Sequence, residues 1–237
     1  MRQAFGHFSI LPAGGSTPPD RTALAYLPFV GAVTAALAGA LGWLVALRAP
    51  AYAGIAAWIA ALVLTGAIHF DGFLDACDGL FATTTPARRL EIMRDPRHGT
   101  FAIAGAIAIS LLWIRALDTI APAALPLTMA FAATVARLAA IANAWRIAYA
   151  SSGTLVRAFD KSPPLLPLIV ATMFACALGW WLGPRTLVLI PAAVVLSVLV
   201  GWWASRRLAN AITGDVYGAI VVVTEVAILM ALPATLG

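Results

Sequence analysis

Long apolar runs alternate with short polar segments along almost the whole chain. Seven of these runs approach the length of about 20 residues that a helix needs to cross the hydrocarbon of a bilayer. We therefore predict an all-α integral membrane protein with about seven transmembrane helices, forming a single polytopic domain over 1–237. The predicted spans are 22–47, 51–70, 101–114, 121–147, 163–182, 186–204 and 216–236.

The composition supports this fold class and excludes several functions. Hydrophobic residues make up 62% of the chain and charged residues 11%, against about 25% charged in soluble domains, and the mean hydropathy is +0.93. With Lys161 as the only lysine and a net charge of +5, the chain has no basic stripe for nucleic acid. Cys77 and Cys176 form no CxxC motif, so neither zinc nor a disulfide framework is indicated. The first twenty residues lack signal-peptide features, so we expect the first apolar run to be retained.

The distribution of cations predicts how the chain is oriented. With the N-terminus in the cytoplasm and seven spans, only Arg48, Arg115 and Arg185 lie on the far side, and Arg137 lies within the membrane. The eleven cytoplasmic cations are Arg2, Arg21, Arg88, Arg89, Arg94, Arg97, Arg146, Arg157, Lys161, Arg206 and Arg207. This asymmetry follows the positive-inside rule. We expect a multi-pass protein of the cytoplasmic (inner) membrane, in contact with membrane lipid.

One polar stretch, 69–100, interrupts the apolar pattern and carries half of the acidic residues. Its five carboxylates are Asp71, Asp75, Asp78, Glu91 and Asp95. The second span is expected to run straight into this stretch, and the spacing i, i+4, i+7 places Asp71, Asp75 and Asp78 on one helix face. Three such carboxylates repel each other unless a cation lies among them. Mg²⁺ prefers oxygen ligands and is often held by one or two carboxylates together with substrate phosphates. We predict a Mg²⁺ site at the cytoplasmic end of the second span.

A short interfacial helix is predicted over 86–96, directly after the aspartates. Thr85 is a suitable N-cap, Pro86 suits the first helical position, and Pro96 ends the helix. Its apolar residues would lie on the membrane and its arginines would face water or ligand.

The end of this segment predicts a diphosphate-binding site. Arg94 and Arg97 flank Asp95 and precede Gly99, a placement that suits a grip on a diphosphate. His69 and His98 could orient an aspartate or accept a proton.

Two charged residues fall inside predicted spans, where charges are costly and are usually paired or functional. Arg137 and Glu225 each lie roughly 15 Å above the cytoplasmic ends of their helices, at ~1.5 Å per residue. This matched depth predicts a buried pair that joins the fourth and seventh spans. The rival interpretation is that Arg137 faces a substrate phosphate.

Three segments resemble the cobalamin synthase family, the membrane-bound adenosylcobinamide-GDP ribazoletransferases. They are HFDGFLDACDGL at 69–80, RRLEIMRDPRHGTFA at 88–102, and GDVYGA at 214–219 with Glu225 beyond it. The resemblance implies a Mg²⁺-dependent transfer of the cobinamide phosphate moiety of adenosylcobinamide-GDP to α-ribazole or its 5′-phosphate. GMP leaves in this reaction. Adenosylcobalamin or its phosphate is the expected product.

The resemblance also suggests roles for individual residues. Metal would lie on Asp71, Asp75 and Asp78, and Asp95, His98 or His69 would take the hydroxyl proton. The residues expected to bind substrate diphosphate are Arg94, Arg97, Gly99, Arg137 and Asp215. Which aspartate ligates metal and which acts as a base is left open. Whether the chain forms a homo-oligomer is also left open.

Three other functions stay open at this point. A CDP-alcohol phosphotransferase catalyses a similar reaction, but its motif has Ala-Arg at the place where this chain has Asp75-Ala76. A polyprenyl transferase would need a second aspartate-rich site. An ion-coupled transporter could use Arg137 and Glu225 as its pathway, and it predicts paired broken helices or repeated halves, which the sequence does not display.

Overall fold

The structure is a computed structural model that describes residues 1–12, 19–150 and 163–235. Within these ranges the chain is almost entirely helical. In chain order the α-helices are α1 (Arg2–Phe8), α2 (Arg21–Ala25), α3 (Leu27–Ala46), α4 (Ala53–Leu64), α5 (Ile68–Phe81), α6 (Pro86–Ile92), α7 (Thr100–Asp118), α8 (Leu125–Ile141), α9 (Leu165–Leu182), α10 (Leu189–Arg207) and α11 (Gly214–Ala231). The described residues also form two short strands, β1 (Ala148–Tyr149) and β2 (Ala211–Ile212).

Six helices in the described ranges are long and apolar enough to cross a membrane, which confirms the all-α membrane fold. With their adjoining 3₁₀ turns they are Leu27–Ala46, Thr100–Asp118, Pro122–Trp145, Leu165–Leu182, Pro184–Arg207 and Gly214–Ala234. The second predicted span, 51–70, corresponds to a bent pair of helices, Pro50–Leu64 and Ile68–Phe81, whose axes differ by 91°. The expectation that the second span runs straight into the acidic stretch is therefore wrong.

The bend arises from two consecutive residues in the left-handed backbone region. Gly66 has φ +58° and Ala67 has φ +53°. Glycine adopts this conformation readily, whereas alanine does so at a steric cost. The chain therefore leaves α4 and starts α5 at nearly a right angle, and the aspartates lie on a separate helix.

Two other predicted boundaries differ from the structure. The third span reaches Asp118 rather than residue 114, because Arg115 and Asp118 form an i,i+3 ion pair at 3.7 Å that lets the helix continue past charged residues. The interfacial helix begins at Pro86 as predicted, with Thr85 as its N-cap, but it ends at Ile92. It ends before Pro96 because a residue that precedes proline is disfavoured in helical conformation.

The two most buried membrane helices, α8 and α11, form the centre of the bundle. Over an 18-residue stretch of each span, 78% is buried for α8 and 72% for α11. Below them, β1 and β2 pair in parallel, with Ala148 opposite Ala211 and Tyr149 opposite Ile212. This pair ties the segment after α8 to the segment before α11. Residues 151–162, between the fourth and fifth predicted spans, lie outside the described residues.

A buried ion pair joins α8 and α11, as predicted. Arg137 Nη1 donates to Glu225 Oε2 at 2.9 Å, and the two side chains are 5% and 3% exposed. Arg137 Nη1 also donates to the carbonyl oxygen of Ala133 at 3.0 Å. The guanidinium is thus directed at Glu225, and the rival prediction of a phosphate contact gains no support from its position.

We expect Glu225→Ala to lower the free energy of unfolding by about 3–5 kcal/mol, because it leaves Arg137 buried without its partner. Denaturant unfolding in detergent micelles measures this loss. The double variant Arg137→Leu/Glu225→Leu removes both charges and should recover a large part of it. Wild-type stability of the single variant would contradict the pairing.

Candidate functional site

Two glycines allow α5 and α11 to pack with their backbones in close contact. A Cβ atom at Gly72 would lie 2.9 Å from the Cα atom of Asp215, and one at Gly218 would lie 2.9 Å from the carbonyl oxygen of His69. Any larger side chain at either position would push the helices apart. This contact brings the acidic face of α5 to the first turn of α11.

Three aspartates and one histidine meet at this contact, and we call them the acidic site: Asp71, Asp75, His98 and Asp215. The imidazole of His98 lies 3.7 Å from Asp75 Oδ1 and 4.0 Å from Asp71 Oδ1. The side chain of Asp71 is 66% exposed, while that of Asp75 is 18% exposed. Asp71 and Asp215 also line a cavity of about 130 Å³. The structure therefore brings together four residues from three separated segments.

The charges of the acidic site oppose each other. Asp75 is repelled by the carboxylates of Asp215, Asp71 and Asp78, and His98 acts on it in the opposite sense. Like charges this close raise the free energy of the fully ionised site. A cation would relieve this repulsion.

The donor set of the acidic site fits a hard divalent cation such as Mg²⁺, which prefers carboxylate oxygens. Within the described ranges, no three His, Cys, Asp or Glu side chains are already arranged around one point as a metal centre. Mg²⁺ commonly takes only one or two protein carboxylates and completes its shell with water and substrate phosphate. The Mg²⁺ site therefore stays a prediction. The carboxylates present are ligands of the kind that Mg²⁺ prefers.

Asp78 has a different position from the other two aspartates of α5. Its carboxylate accepts hydrogen bonds from the backbone N–H groups of Gly99 and Ala102, the latter at 2.9 Å. It therefore caps the N-terminus of α7, where unpaired N–H groups and the helix dipole favour a negative charge. A metal role for Asp78 would compete with this cap, so Asp71, Asp75 and Asp215 are the better ligand set.

The two arginines predicted to clamp a diphosphate have different surroundings. Arg94 is exposed and acts electrostatically on Asp215, and its side chain forms no ion pair within the part of the chain that the structure describes. Arg97 donates from Nε and Nη2 to the two oxygens of Asp95, at 2.9 and 2.8 Å. Of the two, Arg94 is available for a ligand beside the acidic site.

Asp95 is a weak candidate for the proton acceptor. Hydrogen bonds from the side chain and backbone of Arg97 hold the pKa of Asp95 well below its usual range. A carboxylate with such a low pKa is a poor general base at neutral pH. Asp95 and Arg97 line a separate cleft of about 300 Å³, which also contains Asp78 and Gly99.

His69 lies on the inner side of the acidic site. It lines the cavity beside Asp71, and its ring stacks on Phe8 of α1 with centroids 6.2 Å apart. Its Nδ1 atom is buried and has no hydrogen-bond partner among the described residues. His69 is therefore placed as part of the cavity wall, and His98 is the histidine in contact with the carboxylates.

Sequence reasoning missed several residues that support the site. Thr213 caps α11, accepting from the backbone N–H of Val216 at 3.4 Å and donating to Asp215 Oδ2 at 3.2 Å. A threonine just before an apolar run is a recognisable N-cap signal. The packing of Phe8 against His69 has no comparable local signal, since it joins segments about 60 residues apart in the chain.

Comparison with known proteins identifies the family. The family model described as cobalamin-5-phosphate synthase matches residues 1–233. The chain belongs to the cobalamin-5-phosphate synthase family. This match covers every residue of the acidic site and both members of the buried ion pair.

Curated relatives in the cobalamin-5-phosphate synthase family agree with this assignment. The chain is similar to the adenosylcobinamide-GDP ribazoletransferase of Ralstonia pickettii (strain 12J), with 33% identity over 97% of this chain and 93% of the relative. It is also similar to the enzymes of the same name from Deinococcus radiodurans, with 35% identity over 87% of this chain and 74% of the relative, and Chlorobaculum tepidum, with 34% identity over 84% and 79%. Comparison with solved structures gives no match.

We expect Asp78→Ala to lower the free energy of unfolding by about 1–3 kcal/mol in metal-free buffer, because it leaves the N–H groups at the start of α7 without acceptors. Asp71→Ala, at an exposed position on the same helix, serves as the control and should change stability little. Unfolding curves in detergent compare the two variants. Equal stabilities would contradict the capping role of Asp78.

Proposed function

We propose that this protein transfers the cobinamide phosphate moiety of adenosylcobinamide-GDP to α-ribazole or to its 5′-phosphate. The products are GMP and adenosylcobalamin or its phosphate. Family membership over residues 1–233 supports this reaction class. The observation that carries the proposal to particular residues is the convergence of Asp71, Asp75 and Asp215. Asp71 and Asp215 also line a cavity.

The reaction is a substitution at phosphorus. A ribose hydroxyl of the acceptor forms a new bond to the corrinoid-side phosphorus of the diphosphate, and the bond from that phosphorus to the oxygen of GMP breaks. The hydroxyl proton must leave, and GMP departs with the bonding electron pair. Such reactions depend mainly on positioning and on stabilising the charge of the phosphate oxygens.

Asp71, Asp75 and Asp215 would hold a divalent cation, for which we propose Mg²⁺. When bound there, Mg²⁺ would neutralise charge on the diphosphate and on the departing GMP. Arg94 is exposed and acts electrostatically on Asp215, and it is proposed to bind the non-bridging phosphate oxygens. Arginine suits this role because its planar guanidinium matches phosphate geometry.

His98 is the proposed acceptor of the hydroxyl proton. Its imidazole lies between Asp71 and Asp75 and is exposed to an incoming substrate. The neighbouring carboxylates can orient the ring and stabilise it once it carries the proton. Asp95 is proposed to have a structural role instead, since it is bound to Arg97.

We propose that the acidic site faces the cytoplasm and that the N-terminus lies on the same side of the inner membrane. The cation asymmetry along the sequence supports this orientation. The fold gathers the relevant segments at one end: Phe8 of α1 contacts His69, and Arg207 at the end of α10 donates to the carbonyl oxygen of Leu80. At the opposite end, Gly54 of α4 lies against Asp118 of α7.

We expect Asp75→Asn and Asp71→Asn to reduce turnover on the order of 100-fold or more, the scale of losing metal-assisted charge stabilisation. The assay mixes purified protein, Mg²⁺, adenosylcobinamide-GDP and α-ribazole and detects GMP and the corrinoid product by mass spectrometry. Asp118→Asn, the same substitution at the opposite end of the bundle, is the matched control. Full activity in both acidic-site variants, or full activity in excess EDTA, would contradict the proposal.

We expect His98→Gln to lower kcat by about 10²–10⁴-fold, the usual contribution of a general base. Asp95→Asn should lower kcat less than His98→Gln, because Asp95 does not lie in the acidic site. Steady-state kinetics with saturating substrates separate the two variants. The reverse order would identify Asp95 as the proton acceptor.

A further inference from the structure

An apolar groove of about 370 Å³ lies on the side of the bundle, between α5, α7, α10 and α11. Each of the four helices contributes side chains to the lining, for example Leu80 from α5, Leu112 from α7, Trp203 from α10 and Val223 from α11. Phe81 and Leu112 in this lining are 51% and 44% exposed, so the groove opens outward. Since α7, α10 and α11 are membrane helices, the groove opens towards lipid rather than water.

The groove and the acidic site lie on opposite faces of α5. Phe73, Cys77 and Leu80 line the groove, whereas Asp71 and Asp75 point to the acidic site. At 3.6 residues per turn, these two sets are about half a turn apart. The groove is therefore a separate feature from the cavity proposed for the reaction.

Two arginines meet at the edge of the groove. Arg207 Nη1 donates to the carbonyl oxygen of Leu80 at 2.8 Å, and Arg89 Nη1 donates to the carbonyl oxygens of Gly79, at 3.1 Å, and of Leu80. The guanidinium carbon of Arg207 also lies 4.8 Å from the centroid of the Trp203 ring, which is a wall of the groove. Positively charged side chains thus lie directly beside the apolar surface at this edge.

Among the described residues, no acidic side chain forms an ion pair with Arg89 or Arg207. Their hydrogen-bond acceptors are backbone carbonyls. Burial and the charge of Arg207 lower the pKa of Arg89, and arginine nevertheless stays protonated in proteins. Arg206, the next residue before Arg207, is exposed and lies 6.0 Å from the ring centroid of Trp202, which is outside the groove lining. The edge of the groove therefore carries a local excess of positive charge.

We propose that this groove binds an anionic phospholipid, with an acyl chain along the groove and the phosphate at Arg207. Basic groups between membrane helices attract anionic headgroups, and the charge at the edge of the groove complements a phosphate. Among the described residues that line the groove, Cys77 and Trp203 are the ones with polar side-chain atoms, and almost all of the lining surface is apolar. Phosphatidylglycerol, which has one phosphate and a net negative charge, is the probe for the test.

Native mass spectrometry of the full chain measures retained lipid after reconstitution with equal amounts of phosphatidylglycerol and phosphatidylcholine. We expect one phosphatidylglycerol to be retained in preference to phosphatidylcholine. Arg207→Gln should lower this retention about fivefold, the effect of one arginine near an anionic lipid. Arg207→Lys keeps the charge and should preserve most of the retention, which separates a lost charge from a misfolded α5.

A second variant tests the groove independently of the cations. Ala108 lines the groove from an exposed position on α7, so Ala108→Trp should fill it and abolish selective retention. Ala104→Trp, one turn away on the same helix and outside the lining, should retain lipid as the wild type does. Arg48→Gln, at the opposite end of the bundle, is the corresponding control for charge.

Four results would overturn the proposal. Equal retention of the two lipids would exclude headgroup selection, and unchanged retention in Ala108→Trp would place the lipid elsewhere. Displacement of the lipid by α-ribazole, with the same dependence on Ala108→Trp, would assign the groove to substrate. A dimer that forms through this face and excludes lipid would assign it to a second copy of the chain.

Discussion

The close packing of α5 against α11 holds several carboxylates together although their charges repel each other. Gly72 and Gly218 make this approach possible, because a Cβ atom at either position would meet the opposing backbone at 2.9 Å. Asp71 and Asp75 thereby come to lie beside Asp215, and Asp75 is repelled by three other carboxylates. The packing fixes the acidic groups in place. A bound cation would relieve their mutual repulsion, and this relief would favour cation binding.

The orientation of α5 connects the acidic site with the rest of the bundle. Its start is set by the left-handed residues Gly66 and Ala67, and the carbonyl groups at its end accept hydrogen bonds from Arg89 and Arg207. Asp78 near its end accepts from the first turn of α7. A helix held at both ends can present one face to a polar ligand and the other to the apolar groove.

Much of this arrangement could be predicted from the sequence. Hydropathy locates the spans because a membrane helix needs a long apolar run, and the scarcity of charged residues draws attention to 69–100. The pair of Arg137 and Glu225 was predictable because two isolated charges at matched depth have few other partners. Membership in the cobalamin-5-phosphate synthase family confirms the resemblance found in the motifs.

Other features could not be predicted from the sequence. The bend before α5 requires Ala67 to adopt φ +53°, a conformation for which alanine has no preference. Asp78 belongs to the same i, i+4, i+7 pattern as Asp71 and Asp75, but its hydrogen-bond partners Gly99 and Ala102 lie 21 and 24 residues away in the chain. The contact between Asp95 and Arg97 is local, but spacing alone does not distinguish a paired carboxylate from a free one.

Binding of a divalent cation to the acidic site is the central claim, and electron paramagnetic resonance with Mn²⁺ in place of Mg²⁺ tests it most directly. The purified protein with adenosylcobinamide-GDP should bind one Mn²⁺, with loss of binding in Asp75→Asn and in Asp215→Asn. Asp78→Asn, once shown to be folded, should bind Mn²⁺ as the wild type does. Undiminished Mn²⁺ binding in both Asp75→Asn and Asp215→Asn would contradict a cation held between α5 and α11.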